Sequence, residues 1–247
     1  MFKPSFLALA VMTAASGFAQ ADVVGVKVSA GGWEPSFNGD IQDGLAAISL
    51  ENDLNLSDDQ ATVASLSFEH PIPVLPNVRL DYADLSIAAE STLTRNIEFD
   101  GNSFSVSDDV RTSADLSHID GVLYYELMDN WVSIDLGIGV RMFDGDIEIQ
   151  STTESAREEL DEPLPLVYGA VQFDLPFTGL AISADLKGIS YEGDSAFDYT
   201  AKVSYTFALG LGLEAGYRGF EMDIEELSDF TADIDISGPY AGLIFQF

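Results

Sequence analysis

The run Gly238-Pro-Tyr-Ala-Gly-Leu-Ile-Phe-Gln-Phe247 closes the chain with apolar side chains at alternate positions. Successive side chains of an extended strand point to opposite faces. Ala241, Leu243, Phe245 and Phe247 therefore share one face, and Tyr240, Gly242, Ile244 and Gln246 share the other, which is smaller and more polar. A period of two over this length argues for a half-buried strand. A soluble sheet and a membrane barrel would both provide one, so the rest of the chain has to decide.

At the other end, Met1-Phe2-Lys3 supplies a positive charge, Phe6 to Ala15 is apolar, and Ala19-Gln20-Ala21 is a small-x-small cleavage site. That pattern predicts a secretory signal peptide over residues 1–21 and an exported domain over 22–247. The chain has no cysteine, so neither disulfides nor lipid attachment at a cysteine is expected. After the signal no stretch approaches the length of a transmembrane helix. Yet 47% of residues are hydrophobic in a chain of formal net charge −32. Acidity of that size opposes a nucleic-acid partner. High charge and high hydrophobicity must be sorted in space.

The sorting follows strand periodicity. One face carries Val24, Val26 and Val28, then Ala64, Leu66 and Phe68, then Val78, Leu80 and Tyr82. The same face continues through Ile119 to Leu127, Val132 to Met142, Val167 to Phe173, Leu180 to Leu186, Phe197 to Phe207 and Leu211 to Tyr217. None of these positions is charged. The opposite face collects Lys27, Arg79, Arg141, Lys187, Lys202 and Arg218, with Glu69, Asp81, Asp120, Glu126, Asp135, Asp185, Asp198 and Glu214 and with His118. A soluble sandwich would put charge outside and apolar residues inside. The reverse arrangement requires lipid as the outer solvent. The fold predicted is all-β, a transmembrane antiparallel up-and-down β-barrel of about ten strands, an even number that leaves both chain ends on one side. Short turns such as Pro71–Asn77 and Leu175–Gly179 alternate with acidic segments, Glu34–Gln60, Asp144–Glu162 and Glu221–Asp233, read as solvated loops. Phe99–Phe104 reads as a hairpin tip. Trp33, Tyr82, Tyr125, Trp131, Phe173, Phe207 and Tyr217 fit interfacial girdles.

Several stretches carry a family resemblance: Asp22-Val-Val-Gly25, Glu69-His-Pro-Ile-Pro73, Pro76 to Tyr82, Leu116-Ser-His118, Tyr124-Tyr-Glu126, Asp129-Asn-Trp131 and Phe173 to Gly179, with the Phe247 end. They resemble a group of gammaproteobacterial outer-membrane barrel proteins of unassigned function. The resemblance implies an outer-membrane location, contact with membrane lipid and lipopolysaccharide, and Phe247 as a signal read by the barrel-assembly machinery. It brings no catalytic or ligand residues, and a monomer without metal or other cofactor is expected.

Candidate chemistry in the residues is sparse. Only two histidines exist. His118 and Asp120 share the inward face near a strand's outer end, and omptin proteases, also ten-stranded barrels, are similar in having such a pair. Acid-assisted attack by water would need a second acidic pair opposite, and the sequence does not place one. No enzyme is expected, and His118 reads as a hydrogen-bonded lumen group, with His70 structural at the short-turn rim. Acidic runs at Asp53–Asp59, Glu158–Glu162 and Glu221–Glu226 offer oxygens for weak divalent bridging to lipopolysaccharide, but lack the spacing of a dedicated calcium loop. A structural or surface-interaction barrel is therefore the leading expectation, with a narrow channel as the alternative. Confined charges must pair, which favours an ion-paired, closed lumen. The inward glycines Gly25, Gly137, Gly139, Gly212 and Gly216 favour open space instead.

Overall fold

A computed structural model describes residues 24–43, 46–56, 60–72, 74–160, 163–191, 194–227 and 230–247. The expected signal segment 1–21 lies outside them, as do residues 57–59 and 161–162 of the acidic runs. Among the described residues the strands in chain order are β1 (Gly25–Trp33), β2 (Ser36–Asp43), β3 (Ile48–Ser49), β4 (Ala61–Glu69), β5 (Asn77–Asp84), β6 (Ser86–Thr92), β7 (Ile97–Phe99), β8 (Asn102–Phe104) and β9 (Asp109–Asp115). They continue as β10 (His118–Asp129), β11 (Val132–Phe143), β12 (Gly145–Gln150), β13 (Ser155–Leu160), β14 (Leu164–Leu175), β15 (Leu180–Tyr191), β16 (Asp194–Thr206), β17 (Leu211–Leu227) and β18 (Phe230–Gln246).

Ten of these, β1, β4, β5, β10, β11, β14, β15, β16, β17 and β18, pair antiparallel in that order. β18 then returns to β1, with Lys27 opposite Gln246 and Trp33 opposite Tyr240. The result is a closed, antiparallel, up-and-down transmembrane barrel with no free edge, which satisfies every ladder without help from solvent. Leu80, Ile138, Val167, Ile182, Val203 and Leu213 stand outward and exposed.

Among the described residues the acidic segments are largely strands and not solvated loops. β17 and β18 run on well past the lipid belt, and their face parity does not change. Arg218, Phe220, Met222 and Ile224 stay on the inward face of β17, while Tyr217 gives way to Glu221 and Asp223 outside. Opposite them on β18, Ala232, Ile234 and Ile236 point in, and Asp233 and Asp235 point out. The outside has changed from lipid to water, so the polarity of the two faces has swapped. The same change of outer solvent falls at Asp84 on β5: Ala83, Leu85 and Ile87 continue the inward row of Arg79 and Asp81, now buried and apolar.

Above the barrel β18 also pairs with β2, which pairs with β3. A separate sheet runs β13-β12-β9-β6. Phe37, Ile41, Ile48, Phe220, Ile234 and Ile236 from the first layer share one buried core with Ile87, Val110, Ala114, Leu116 and Ile149 from the second. The long-loop end is thus a two-layered cap with its own dry core. β7 and β8 form the hairpin expected at Phe99–Phe104, and Asp100 and Gly101 both take positive φ, 47° and 66°, as a type I′ turn requires. Trp33 is corrected from girdle to core: it is 1% exposed, because its odd position on β1 points inward with Lys27 and Ser29.

Two substitutions test these assignments. Leu136→Arg on the lipid belt should lower the unfolding free energy by about 2–4 kcal/mol, read by reversible urea unfolding after refolding into lipid. Ser133→Arg, on the lumen side of the same strand, should escape that penalty. Ile149 lies wholly buried in the cap, so Ile149→Ala should cost about 2–5 kcal/mol, whereas a solvated loop would lose nothing.

Candidate functional site

The lumen holds a network of charged side chains that crosses the barrel. Its centre is Asp198 on β16, whose Oδ2 lies 2.7 Å from the Arg141 guanidinium of β11 and 2.8 Å from that of Arg218 on β17. Arg141 Nε and Nη2 also donate to both oxygens of Asp120, at 2.7 and 2.9 Å. Lys187 of β15 reaches across to Asp120 on β10 and to Asp81 on β5, the latter at 3.3 Å. Arg79 binds Asp81 at 2.9 Å and stands 3.8 Å from Asp185. Four cations and four carboxylates are therefore linked through six strands. Arg141 is 1% exposed, so its pairing is obligatory: one unpartnered buried charge costs several kcal/mol.

The remaining inward charges sit apart from this network. Lys202 pairs with Glu214 at 2.8 Å. Lys27 donates to Gln172, at 3.1 Å, on the far side of the lumen. Towards the short-turn end the carboxylates have neutral hydrogen-bond partners: Tyr124 donates to Glu69 at 3.1 Å, and Asn77 donates to Glu126 at 3.3 Å. Asp135 shares this end, and one of its carboxylate oxygens is buried without a hydrogen bond. The lumen is therefore layered, with acids towards the short turns and paired charges beneath the cap.

The cap forms a lid of aromatic faces over the guanidinium groups. Arg218 stacks on Trp33 at 4.9 Å, and Arg141 lies 5.3 Å from Phe220 and 5.9 Å from Phe143. Such contacts strengthen as water is withdrawn. His118 is buried in the same layer, its Nδ1 donating to the Leu116 carbonyl at 2.9 Å and its Nε2 facing Arg218 at 3.5 Å. His118, Asp120 and Asp198 bring ligand-type atoms within 4.8 Å of one another. Arg141, Arg218 and Lys187 already neutralise those carboxylates, so the donor set does not suit a metal cation.

The glycines do not leave the lumen open. A Cβ on Gly137 would fall 2.8 Å from that of Tyr124, and one on Gly216 would fall 2.7 Å from that of Lys202. The large cross-strand neighbour occupies each gap. What remains beside Arg79, Lys187, Lys202 and Arg218 is a cavity of about 40 Å³, room for a few water molecules.

No family model matches the sequence, and no curated protein matches it either. Solved structures do match. The outer membrane protease OmpT from Escherichia coli superposes with a TM-score of 0.54 at 7% identity, over 94% of this chain and 99% of that one. The fold is an outer-membrane β-barrel. The translocator domain of autotransporter NalP from Neisseria meningitidis gives 0.47 at 8% identity, over 97% of this chain and 93% of that one. Ail of Yersinia pestis gives 0.35 at 11% identity, over 91% and 99%. At these identities the likeness reaches the fold and stops there.

One further ion pair ties the cap together. Asp53 lies between Arg95, which binds both its oxygens and the Ala47 carbonyl, and the Ser49 amide at 2.9 Å. Sequence reasoning read Asp53 as a solvated loop carboxylate, and no local pattern pointed to its distant partner.

Burial raises the pKa of Asp53, but the Arg95 and Ser49 hydrogen bonds outweigh it and hold the carboxyl below its ordinary value. A depressed folded-state pKa stabilises above the unfolded value of about 4, and the contribution is lost as pH falls through the folded one. Amide exchange over residues 46–56 should therefore quicken below about pH 4, and Asp53→Asn should remove that dependence. In the lumen, Arg141→Ala leaves Asp120 and Asp198 short of a partner and should cost about 3–5 kcal/mol in unfolding free energy.

Proposed function

We propose that this chain is an exported outer-membrane protein whose closed barrel anchors a folded, acidic cap at the cell surface, in a structural or surface-interaction role. The observation that carries the reading is the stacking of a cross-barrel ion-pair network beneath a dry cap core. Asp198 bridges Arg141 and Arg218, and Trp33 and Phe220 close over both guanidinium groups. Ions would have to displace paired charges and then an apolar core. What the cap offers outward is carboxylate, as at Glu221, Asp223, Asp233 and Asp235. A surface of that sign suits cationic partners, and divalent ions would bridge it to lipopolysaccharide.

Catalysis is not part of this proposal. His118 and Asp120 are buried below the cap, and Asp120 is held by Arg141 and Lys187, so neither is free to activate water on a substrate. The signal peptide over 1–21, assembly through Phe247, membership of the gammaproteobacterial group and a monomeric state complete the reading.

The alternative is a narrow passive channel, favoured by the small cavity beside Lys202 and Arg218. Planar bilayers separate the two. The wild-type protein should show little conductance at neutral pH, and Arg141→Ala should raise it by unpairing carboxylates and admitting water. Stable large openings in wild type would make this protein a channel.

A further inference from the structure

We propose that the short-turn rim of the barrel is a lipid-binding surface, lying in the headgroup layer of the adjacent leaflet and not in water. The proposal rests on the membrane-anchored reading and adds where the barrel sits and what its turns touch. Three of the four short turns, 71–76, 175–180 and 207–211, contain no ionisable residue. Their tips project bulky apolar side chains that touch little else: Phe177 is 109% exposed, Leu209 91% and Val74 80%. Phe177 and Leu209 also hold positive φ, 65° and 72°, a region that is unfavourable for bulky side chains. A glycine or asparagine would fit an aqueous turn better.

Geometry says what covers these tips. They continue the lipid belt directly, since Leu175, Leu180, Phe207 and Leu211 are exposed belt residues at the ends of the same turns. Belt height gives a second argument. On β11 the uncharged outward row from Val132 to Met142 rises about 26 Å at ordinary strand tilt, enough for the apolar band, and its turn carries Asp129. On β5 the row from Val78 to Tyr82 rises only about 10 Å before Asp84 interrupts it, so the band needs the adjoining turn 71–76.

The backbone of that turn is prepared for such a place. In lipid, polar backbone groups need partners within the protein. Tyr125, itself on the lipid face, donates its hydroxyl to the Val74 carbonyl at 2.9 Å. His70 accepts the Ile72 N–H on Nδ1 at 3.2 Å, and its Nε2 bonds the Pro76 carbonyl at 3.1 Å. The Leu75 N–H donates to Ile72 at 3.2 Å. In the second turn Thr178 Oγ1 donates to the Leu175 carbonyl at 2.7 Å and accepts the Leu180 N–H at 3.0 Å. Prolines 71, 73 and 76 bring no N–H at all.

Tryptophan reporters at the tips test this. In a Trp131→Phe background, Phe177→Trp and Leu209→Trp are made separately and reconstituted into phosphatidylcholine vesicles with bromines near the headgroup end of the acyl chains. The buried Trp33 signal is subtracted using the background protein. Heat-modifiable migration on gels checks that each variant has folded, and either tip alone suffices. The expected result is loss of most of the tip emission to brominated lipid, with little loss to aqueous acrylamide. Free quenching by acrylamide with none by brominated lipid overturns the proposal, provided that a Leu136→Trp control on the belt is quenched by the lipid. If the control also escapes, the membrane-spanning reading has failed and this proposal falls with it.

Discussion

A β-strand holds its side chains in two directions along its whole length, while the solvent outside this barrel changes from lipid to water partway along it. That mismatch governs the rest of the structure. Below the change the outward row must be apolar, and the inward row is free to be charged. Above it the outward row must be charged, and the inward row becomes a hydrophobic core. Strand β17 carries the whole transition in its inward row, from Glu214 through Arg218 to Phe220 and Ile224. Because the inward rows meet at that level, the top of the ion-pair network and the bottom of the cap core are one surface. The aromatic contacts to Arg141 and Arg218 follow from that meeting.

The network's own order follows from confinement. Ten strands enclose little more than their side chains can fill, and a guanidinium or carboxylate taken out of water needs several partners. Asp198 and Asp120 each meet two cations, and Arg141 serves both acids. Sharing lets few groups satisfy many donors in a small space. At the short-turn end, where the hydrogen-bond partners of Glu69 and Glu126 are neutral, no second network of this kind forms among the described residues.

How much of this was legible in the sequence depended on what each residue's neighbours could reveal. Face assignments along the barrel were legible because a period of two needs only local comparison, and Lys27, Arg79, Arg141 and Lys187 fall inward as their positions imply. The acidic segment Glu221–Asp233 was misread because its carboxylates dominate its composition. Phe220, Met222 and Ile224, with Ala232, Ile234 and Ile236, continue the alternation with its sign inverted, and this was the available signal. The cap core was hidden in a different way. Ile48 and Leu54 come from one connection between barrel strands, Phe104 from a second and Ile149 from a third, and they find one another only after the barrel brings those connections together. Partner choice within the lumen had the same limit: spacing marked the charges as inward but could not say that Asp198 takes Arg141 and Arg218.

The glycines that face the lumen carry a meaning for assembly. Gly137 sits opposite Tyr124, Gly139 opposite Val122, and Arg141 opposite Asp120, all along one pair of strands. A hairpin that slid by two residues would keep every side chain on its proper face, so hydrophobicity alone would not object. Yet Val122 would then confront Arg141, Asp120 would confront Phe143, and the bulky Tyr124 would enter the slot that Val122 fills. Large against absent and acid against base work here as teeth and notches. They let a strand pair recognise its own alignment where the oily and polar faces cannot distinguish one even-numbered slip from the next.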